Sequence, residues 1–371
     1  MDINERARQT IRSLPKTVHG GQAWKLDNIE DYSHNLNPFG APTFLDEIVA
    51  SAVPSVWHYP DDASLGFRTA VANEFDVEPE NVIAGAGSSD IIRMFPNTFL
   101  EPGDRVLMFT PSFAEYTQQC KICGVGIEYI RLREENDYRI DIEELSEKLT
   151  SDVKALYICN PNNPTSTSIC HEQMLPILKH CHQNNIFVMI DETYVEFTEN
   201  YEEVTAVPFT NDFTNLIVLR GISKFFAAPG LRLGYGITSA PSLRAAITRN
   251  QKAWSINSLA EVAARLMLTD CDYIKATRDL IFAERTRMVA RLQQIPDVKV
   301  YLPTANFVLL RIMKEGKDAA GLFDLCIREK LMIRDCSTFT YLDDKYFRFC
   351  FMMPEQNEAL LQCIEKYFAE K

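Results

Sequence analysis

Several features that mark other classes of protein are missing from this sequence. No run approaches the roughly 20 apolar residues that cross a bilayer, and the opening MDINERARQTIRSLPK is basic and lacks an apolar signal core. A secreted or membrane-spanning product is not expected. Ten cysteines are spread over 371 residues, too thinly for a disulfide framework. Cys120 and Cys123 have no second ligand pair, and Cys181 with His182 stands equally alone, so no metal site is expected. Reduced cysteines in small core positions fit better and point to the cytoplasm. Positive charge is scarce too, with 38 basic residues against 51 acidic and a formal net charge of -13. Such a surface cannot grip a phosphate backbone, so nucleic acid is not an expected partner. A small anion needs only a few local arginines and remains open.

The chain has neither internal repeats nor a low-complexity linker. From about residue 80, short apolar runs alternate with helical patterns, which is the mark of an α/β fold: a mostly parallel sheet with helices on both faces. Strands are expected at Val82–Ala84, Arg105–Phe109, Gly126–Arg131, Lys154–Cys159, Ile186–Ile190, Leu216–Leu219 and Leu231–Ile237. Helical periodicity covers Leu259–Leu268 and Tyr273–Leu292. A smaller α+β unit follows, with strands at Asn306–Ile312, Met332–Arg334 and Tyr346–Phe351, and helices over Ala319–Glu329 and from Glu355. The expected division is an N-terminal arm and site cover over 1–40, a large domain over 41–275 and a small domain over 276–371. Ile3, Ala7 and Ile11 recur every four residues and suggest a short amphipathic helix on the body.

The richest segment is RGISKFFAAPGLRLGYG, Arg220 to Gly236. Lys224 follows a strand, which puts it at the carboxyl edge of the sheet where open α/β proteins bind ligands. Apolar neighbours Phe225, Phe226, Ala227 and Ala228 favour its neutral amine and equip it to form a Schiff base. Arg232, beyond the Pro229–Gly230 turn, offers a fork for phosphate. GAGSSD, Gly85 to Asp90, follows an apolar strand and opens a helix, so Gly87, Ser88 and Ser89 present free amides to an anion; an ordinary helix cap is the plainer reading of that motif alone. Asp191 ends the apolar run FVMID, where a carboxylate is costly without a positive partner, and a protonated pyridine nitrogen is such a partner. Asn163 in NPNNPTS and Tyr194 in DETY are placed to bond a ring's phenolic oxygen, and Phe113 in TPSFAEY to stack on its face.

These motifs resemble the fold-type I pyridoxal-phosphate enzymes of the class I/II aminotransferase group across nearly the whole chain, and most of all the histidinol-phosphate aminotransferase and threonine-phosphate decarboxylase branch. The resemblance implies an aspartate-aminotransferase-like fold with pyridoxal 5'-phosphate as cofactor. Ser223, Lys224 and Gly230-Leu231-Arg232 are its most specific part. It implies Lys224, Asp191 and Tyr194 as catalytic residues, with Gly87, Ser88, Ser89, Phe113, Asn163, Ser223 and Arg232 around the cofactor. Tyr59 in VWHYPDD resembles a segment that reaches the cofactor phosphate of a neighbouring subunit, which implies a homodimer with shared sites. Arg348 in KYFRFCF resembles the carboxylate-binding arginine, and Arg334 in LMIRDCSTF the arginine for a distal phosphate. Gly221 departs from the pattern, standing where many members carry Ser or Thr.

The substrate implied is a small anionic amino acid or phosphorylated amine. VHGG at Val18–Gly21, SHNLNPFG at Ser33–Gly40 and KFFAAPGLRLGY at Lys224–Tyr235 are more similar to the decarboxylase subset, with His19 and Asn37 implied as substrate contacts. The expectation is therefore decarboxylation of phosphothreonine or phosphoserine, with transamination of the histidinol-phosphate type as the alternative.

Overall fold

The computed structural model describes residues 3–14 and 26–369. VHGG, with His19, lies outside the described residues. The strands run β1 Glu30–Asp31, β2 Val82–Gly85, β3 Arg105–Thr110, β4 Gly126–Arg131, β5 Val153–Cys159, β6 Phe187–Asp191 and β7 Leu216–Gly221. There follow β8 Gly234–Ile237, β9 Val298–Val300, β10 Phe307–Ile312, β11 Leu331–Met332, β12 Arg334–Asp335 and β13 Tyr346–Cys350. Seven form one sheet in the order β2-β8-β7-β6-β5-β3-β4. Its centre is parallel, and only β8 runs against its neighbours β2 and β7.

Burial on both faces explains why these strands read as continuous apolar runs. Alternate residues feed two cores: Leu107, Leu156, Ile158, Val188, Ile190 and Val218 enter one, while Val106, Met108, Tyr157, Met189, Ile217 and Leu219 enter the other. Helices Ser88–Phe99, Ala114–Cys123 and His171–Gln183 cover the sheet between strands. Ala114–Cys123 stops at Gly124, whose φ of +78° gives the left-handed cap that glycine adopts without strain.

A smaller antiparallel sheet, β12-β13-β10-β9, carries helices Ala319–Arg328 and Pro354–Ala369. The architecture is thus the α/β, aspartate-aminotransferase-like one with an added α+β unit. The long helix Cys271–Leu292 adjoins the loop after Lys224 through Tyr273, whose Oη donates to Phe225 O at 3.3 Å, and reaches the small sheet through Arg285, which donates to Thr304 O at 2.6 Å. Among the described residues no helix is long and apolar enough to cross a membrane.

Three expectations need correction. The stretch with Ile3, Ala7 and Ile11 forms two separate turns, Ile3–Arg6 and Gln9–Arg12, and Ala7 and Ile11 are exposed. A four-residue turn is too short to hold a helical stripe. The strand expected from Leu231 starts at Gly234, because Pro229–Leu231 forms a tight turn and Arg232 takes a left-handed backbone, φ +54°. The strand expected over Met332–Arg334 is split at Ile333: β11 pairs with β1 in parallel, whereas β12 pairs with β13.

Candidate active site

The carboxyl ends of β2, β3, β5, β6 and β7 share one edge of the large sheet, and each delivers a residue picked out above. Gly87, Ser88 and Ser89 follow β2, Phe113 follows β3, Asn163 follows β5, Asp191 ends β6, and Ser223 and Lys224 follow β7. All of them line one cavity of about 310 Å³, together with Tyr194, Arg232, Arg334 and Arg348.

Lys224 Nζ donates to His34 O at 2.7 Å. Burial, reinforced by the positive charge of Arg348, lowers its pKa to about 8, so the neutral amine is far more accessible near neutral pH than for an ordinary lysine. Asp191 lies buried at the end of β6. Its Oδ2 accepts from Tyr116 Oη at 2.8 Å, and its Oδ1 from Thr193 N at 2.9 Å and Thr193 Oγ1 at 2.5 Å. Burial raises its pKa, and no cation pairs with it among the described residues. Next to it, Glu192 meets the fully buried Arg220 at 2.8 Å, and Glu196 meets the same guanidinium at 3.2 Å, which fixes the loop after β6 to β7.

At the phosphate-like corner the backbones approach so closely that side chains are excluded. A Cβ on Gly234 would fall 2.2 Å from Ser88 N, whereas one on Gly87 would meet only the tip of the Arg232 side chain, at 2.4 Å, and there a φ of +86° is what favours glycine. Arg232 Nη1 donates to Pro229 O at 3.0 Å, while its Nη2 reaches Ser89 Oγ at only 3.3 Å and Ala86 O at 3.4 Å, so the Nη2 side of the fork is only weakly held by protein. Across the cavity Arg348, although buried, bonds Asn163 Oδ1 and donates to Ser33 O at 2.6 Å, while its Nε has no acceptor among the described residues. Arg334 Nη2 donates to Thr338 Oγ1 at 2.7 Å. In a chain of net charge -13, these three arginines have no carboxylate partner among the described residues.

Two anticipated residues lie outside the cavity wall. Asn37 is buried, and its amide donates to Phe225 O and Thr277 Oγ1, both at 2.7 Å. It pins the loop after Lys224 to the long helix. Tyr59 is exposed on the surface and stacks on Trp254 with ring centroids 4.4 Å apart. Conversely, His34, Tyr116, Thr193, Thr338 and Phe339 line the cavity without having been singled out. Tyr116 and Thr193 carried a usable signal, since a carboxylate ending a buried strand needs donors and both lie in the quoted motifs TPSFAEY and FVMIDETY.

A lysine of lowered pKa, a buried acid without a cation and an anion cradle, all on the carboxyl edge of a seven-stranded sheet, define a fold-type I pyridoxal-phosphate enzyme. The chain belongs to the aminotransferase class I and II family, whose model matches residues 31–364. It is similar to the histidinol-phosphate aminotransferase of Ruminiclostridium cellulolyticum, 33% identical over 91% of this chain and 94% of that one. It is also similar to the threonine-phosphate decarboxylase of Salmonella typhimurium, 32% identical over 95% of this chain and 97% of that one. Among solved structures, the histidinol-phosphate aminotransferase from Clostridium acetobutylicum superposes with a TM-score of 0.86 at 32% identity, covering 92% of this chain and 99% of that one. The chain is a pyridoxal-phosphate-dependent enzyme of this branch. When bound, the cofactor supplies an aldehyde that joins an amine and a ring that accepts the electron pair of a bond broken at the α-carbon.

Proposed function

We propose that this enzyme transfers the amino group of a phosphorylated amine of the histidinol-phosphate type to 2-oxoglutarate. In this reading Lys224 holds the cofactor and moves the proton at the substrate α-carbon. Asp191 keeps the ring nitrogen protonated, held in place by Tyr116 and Thr193. Gly87, Ser88, Ser89, Ser223 and Arg232 take the cofactor phosphate, Asn163 and Tyr194 face the phenolic oxygen, and Phe113 covers the ring.

The observation that carries the reading is the bond from Arg348 to Asn163. Histidinol phosphate has no carboxylate, so in this reading Arg348 takes that of 2-oxoglutarate and glutamate, and its bond to Asn163 would hold this carboxylate beside the residue assigned to the phenolic edge of the ring. An amino acid whose carboxylate is held near the ring plane would lose its α-hydrogen and keep its carboxylate, because the bond perpendicular to the ring is the one that breaks, and Lys224 would take that proton. This reverses the order favoured by the sequence segments. VHGG lies outside the described residues, and within SHNLNPFG the amide of Asn37 is occupied by the protein's own scaffold. Decarboxylation of phosphothreonine or phosphoserine is the second reading, supported by the likeness to the Salmonella typhimurium decarboxylase. Incubation with histidinol phosphate and 2-oxoglutarate should yield glutamate. Carbon dioxide and an amine phosphate, formed from phosphothreonine or phosphoserine with no acceptor present, would reverse the assignment.

The working form in this proposal is a cytoplasmic homodimer. Exposed Val53, Val56, Trp57, Tyr59, Leu65 and Trp254 supply an apolar surface for a second copy. Tyr59 of each copy would then serve the other's cofactor phosphate. Co-expressed Lys224→Ala and Tyr59→Ala chains should form hybrids with one intact site and more activity than either parent; no recovery would place Tyr59 outside the site.

A further inference from the structure

Among the described residues, His34 is the one histidine in the cavity wall. Its Nδ1 bonds Asp31 Oδ2. Asp31 is itself held, because its Oδ1 accepts from Ser33 N at 2.8 Å and from Ser33 Oγ at 2.7 Å. The main chain at the same place is tied to the chemistry: His34 O accepts from Lys224, and Ser33 O accepts from Arg348. The imidazole is thus oriented by a fixed carboxylate on a loop that cannot drift from the site. Its side chain is 36% exposed, and Nε2 has no partner among the described residues.

The topology decides what lies beside it. β1 pairs in parallel with β11 in the register Asp31↔Met332, and Tyr32 N donates to Met332 O at 2.9 Å. The two chains leave that pair side by side, and two or three residues later His34 and Arg334 both line the cavity. Arg334 stands there with Thr338 and Phe339. A guanidinium, a hydroxyl and an oriented imidazole make a set for a tetrahedral oxyanion. Arg348, which the proposed function assigns to a carboxylate, lies deeper in the cavity.

We propose that His34, positioned by Asp31, is a specificity-determining residue that binds the distal phosphate of the substrate alongside Arg334. This rests on the phosphorylated substrate of the proposed function. With Nδ1–H given to Asp31, one proton is shared between Nε2 and a phosphate oxygen. A phosphate monoester suits that arrangement because its second ionisation lies near pH 6, so it carries or accepts that proton at little cost. No covalent bond changes. The asparagine-rich remainder of SHNLNPFG has a different task, since Asn35 donates to Tyr194 Oη and Asn37 pins the loop after Lys224.

The test is steady-state kinetics of the holoenzyme on histidinol phosphate and on histidinol, with 2-oxoglutarate as acceptor, for the native chain, His34→Ala, His34→Gln and Asp31→Asn. Arg334→Gln serves as the benchmark, and the cofactor absorption band confirms an intact site in each. His34→Ala should raise KM for the phosphorylated amine about tenfold, the loss expected for one charge-assisted hydrogen bond, with kcat within about twofold. Its kcat/KM on histidinol should not change. His34→Gln, which keeps a donor, should recover part of the loss, and Asp31→Asn should fall between His34→Ala and the native chain. Equal losses on both amines, or no loss on either, would overturn the role of His34. A native enzyme that prefers neither amine would remove the phosphorylated-substrate reading and this proposal together, whereas a native preference that survives His34→Ala would remove this proposal alone.

Discussion

At the scale of the residue, burial has moved the ionisation of two groups to which the proposed function gives central roles, and in opposite senses. Desolvation lowers the Lys224 pKa to about 8 and raises that of Asp191, because each charged form loses water. Arg348 adds to the depression at Lys224. In the apoprotein, the rate at which Lys224 captures pyridoxal phosphate should therefore rise with a midpoint near pH 8. Arg348→Gln should move that midpoint upward by removing the neighbouring positive charge; a profile unchanged by the substitution would show that burial alone sets it. Asp191→Asn should retain bound cofactor, since the phosphate cradle is untouched, yet lose turnover by about 100-fold or more, in line with the removal of one preorganised charge. Absorbance and kcat measured on the same preparation check both halves of that expectation.

At the scale of the element, the cradle is built by glycines that let strands and a helix start meet. β8 runs antiparallel between β2 and β7, so Gly234 pairs with both Gly85 and Gly221 and lies under Ser88. A methyl group on Gly234 would meet rigid backbone at 2.2 Å and 2.7 Å. Gly234→Ala should destabilise the protein by about 1–3 kcal/mol and weaken retention of pyridoxal phosphate, as seen in thermal melts and dialysis. Gly221 behaves differently, because a Cβ there would find nothing closer than 3.7 Å, with Ser88 Cβ at 4.0 Å. Gly221→Ser should be tolerated and should slow cofactor loss by restoring a hydroxyl beside the cradle. Faster loss from Gly221→Ser would show that the glycine is needed for close approach after all.

At the scale of the molecule, the turn after β4 is fastened to the small sheet through one carboxylate. Glu134 accepts from Tyr301 Oη at 2.8 Å, Arg311 Nη1 at 2.6 Å, Lys299 Nζ at 3.1 Å and Tyr346 Oη at 3.1 Å. Burial alone would raise its pKa, but these donors outweigh it and hold the group down at about 2. A folded-state pKa below the unfolded one, ordinarily near 4.5, contributes stability that is full above the unfolded value and is lost as pH falls through the folded one. The contribution should fade between about pH 4.5 and pH 2. Glu134→Gln should be less stable than the native chain at neutral pH, with the difference shrinking over that interval in denaturant titrations.

Much of this was legible in the sequence because it is local. Apolar runs without alternation reported a parallel sheet buried on both faces, and Lys224, Arg232, Asp191 and the Gly87–Ser89 turn each carry their chemistry in motifs of a few residues. What needed the tertiary structure depends on pairings between distant segments. The pairing of β1 with β11 is two residues long, too short to leave a period, yet the segments that leave it carry His34 and Arg334 into the wall of one cavity. Asn37 looks like a ligand residue from its motif, but packing of the long helix against the loop after Lys224 gives its amide two internal acceptors. The sequence by itself determined the fold class and the cofactor chemistry, since propensity and motif act over short range. Only the tertiary structure decided which polar groups are already satisfied by the protein and which are left for a ligand, because hydrogen-bond partners in a folded chain are set by contacts hundreds of residues apart.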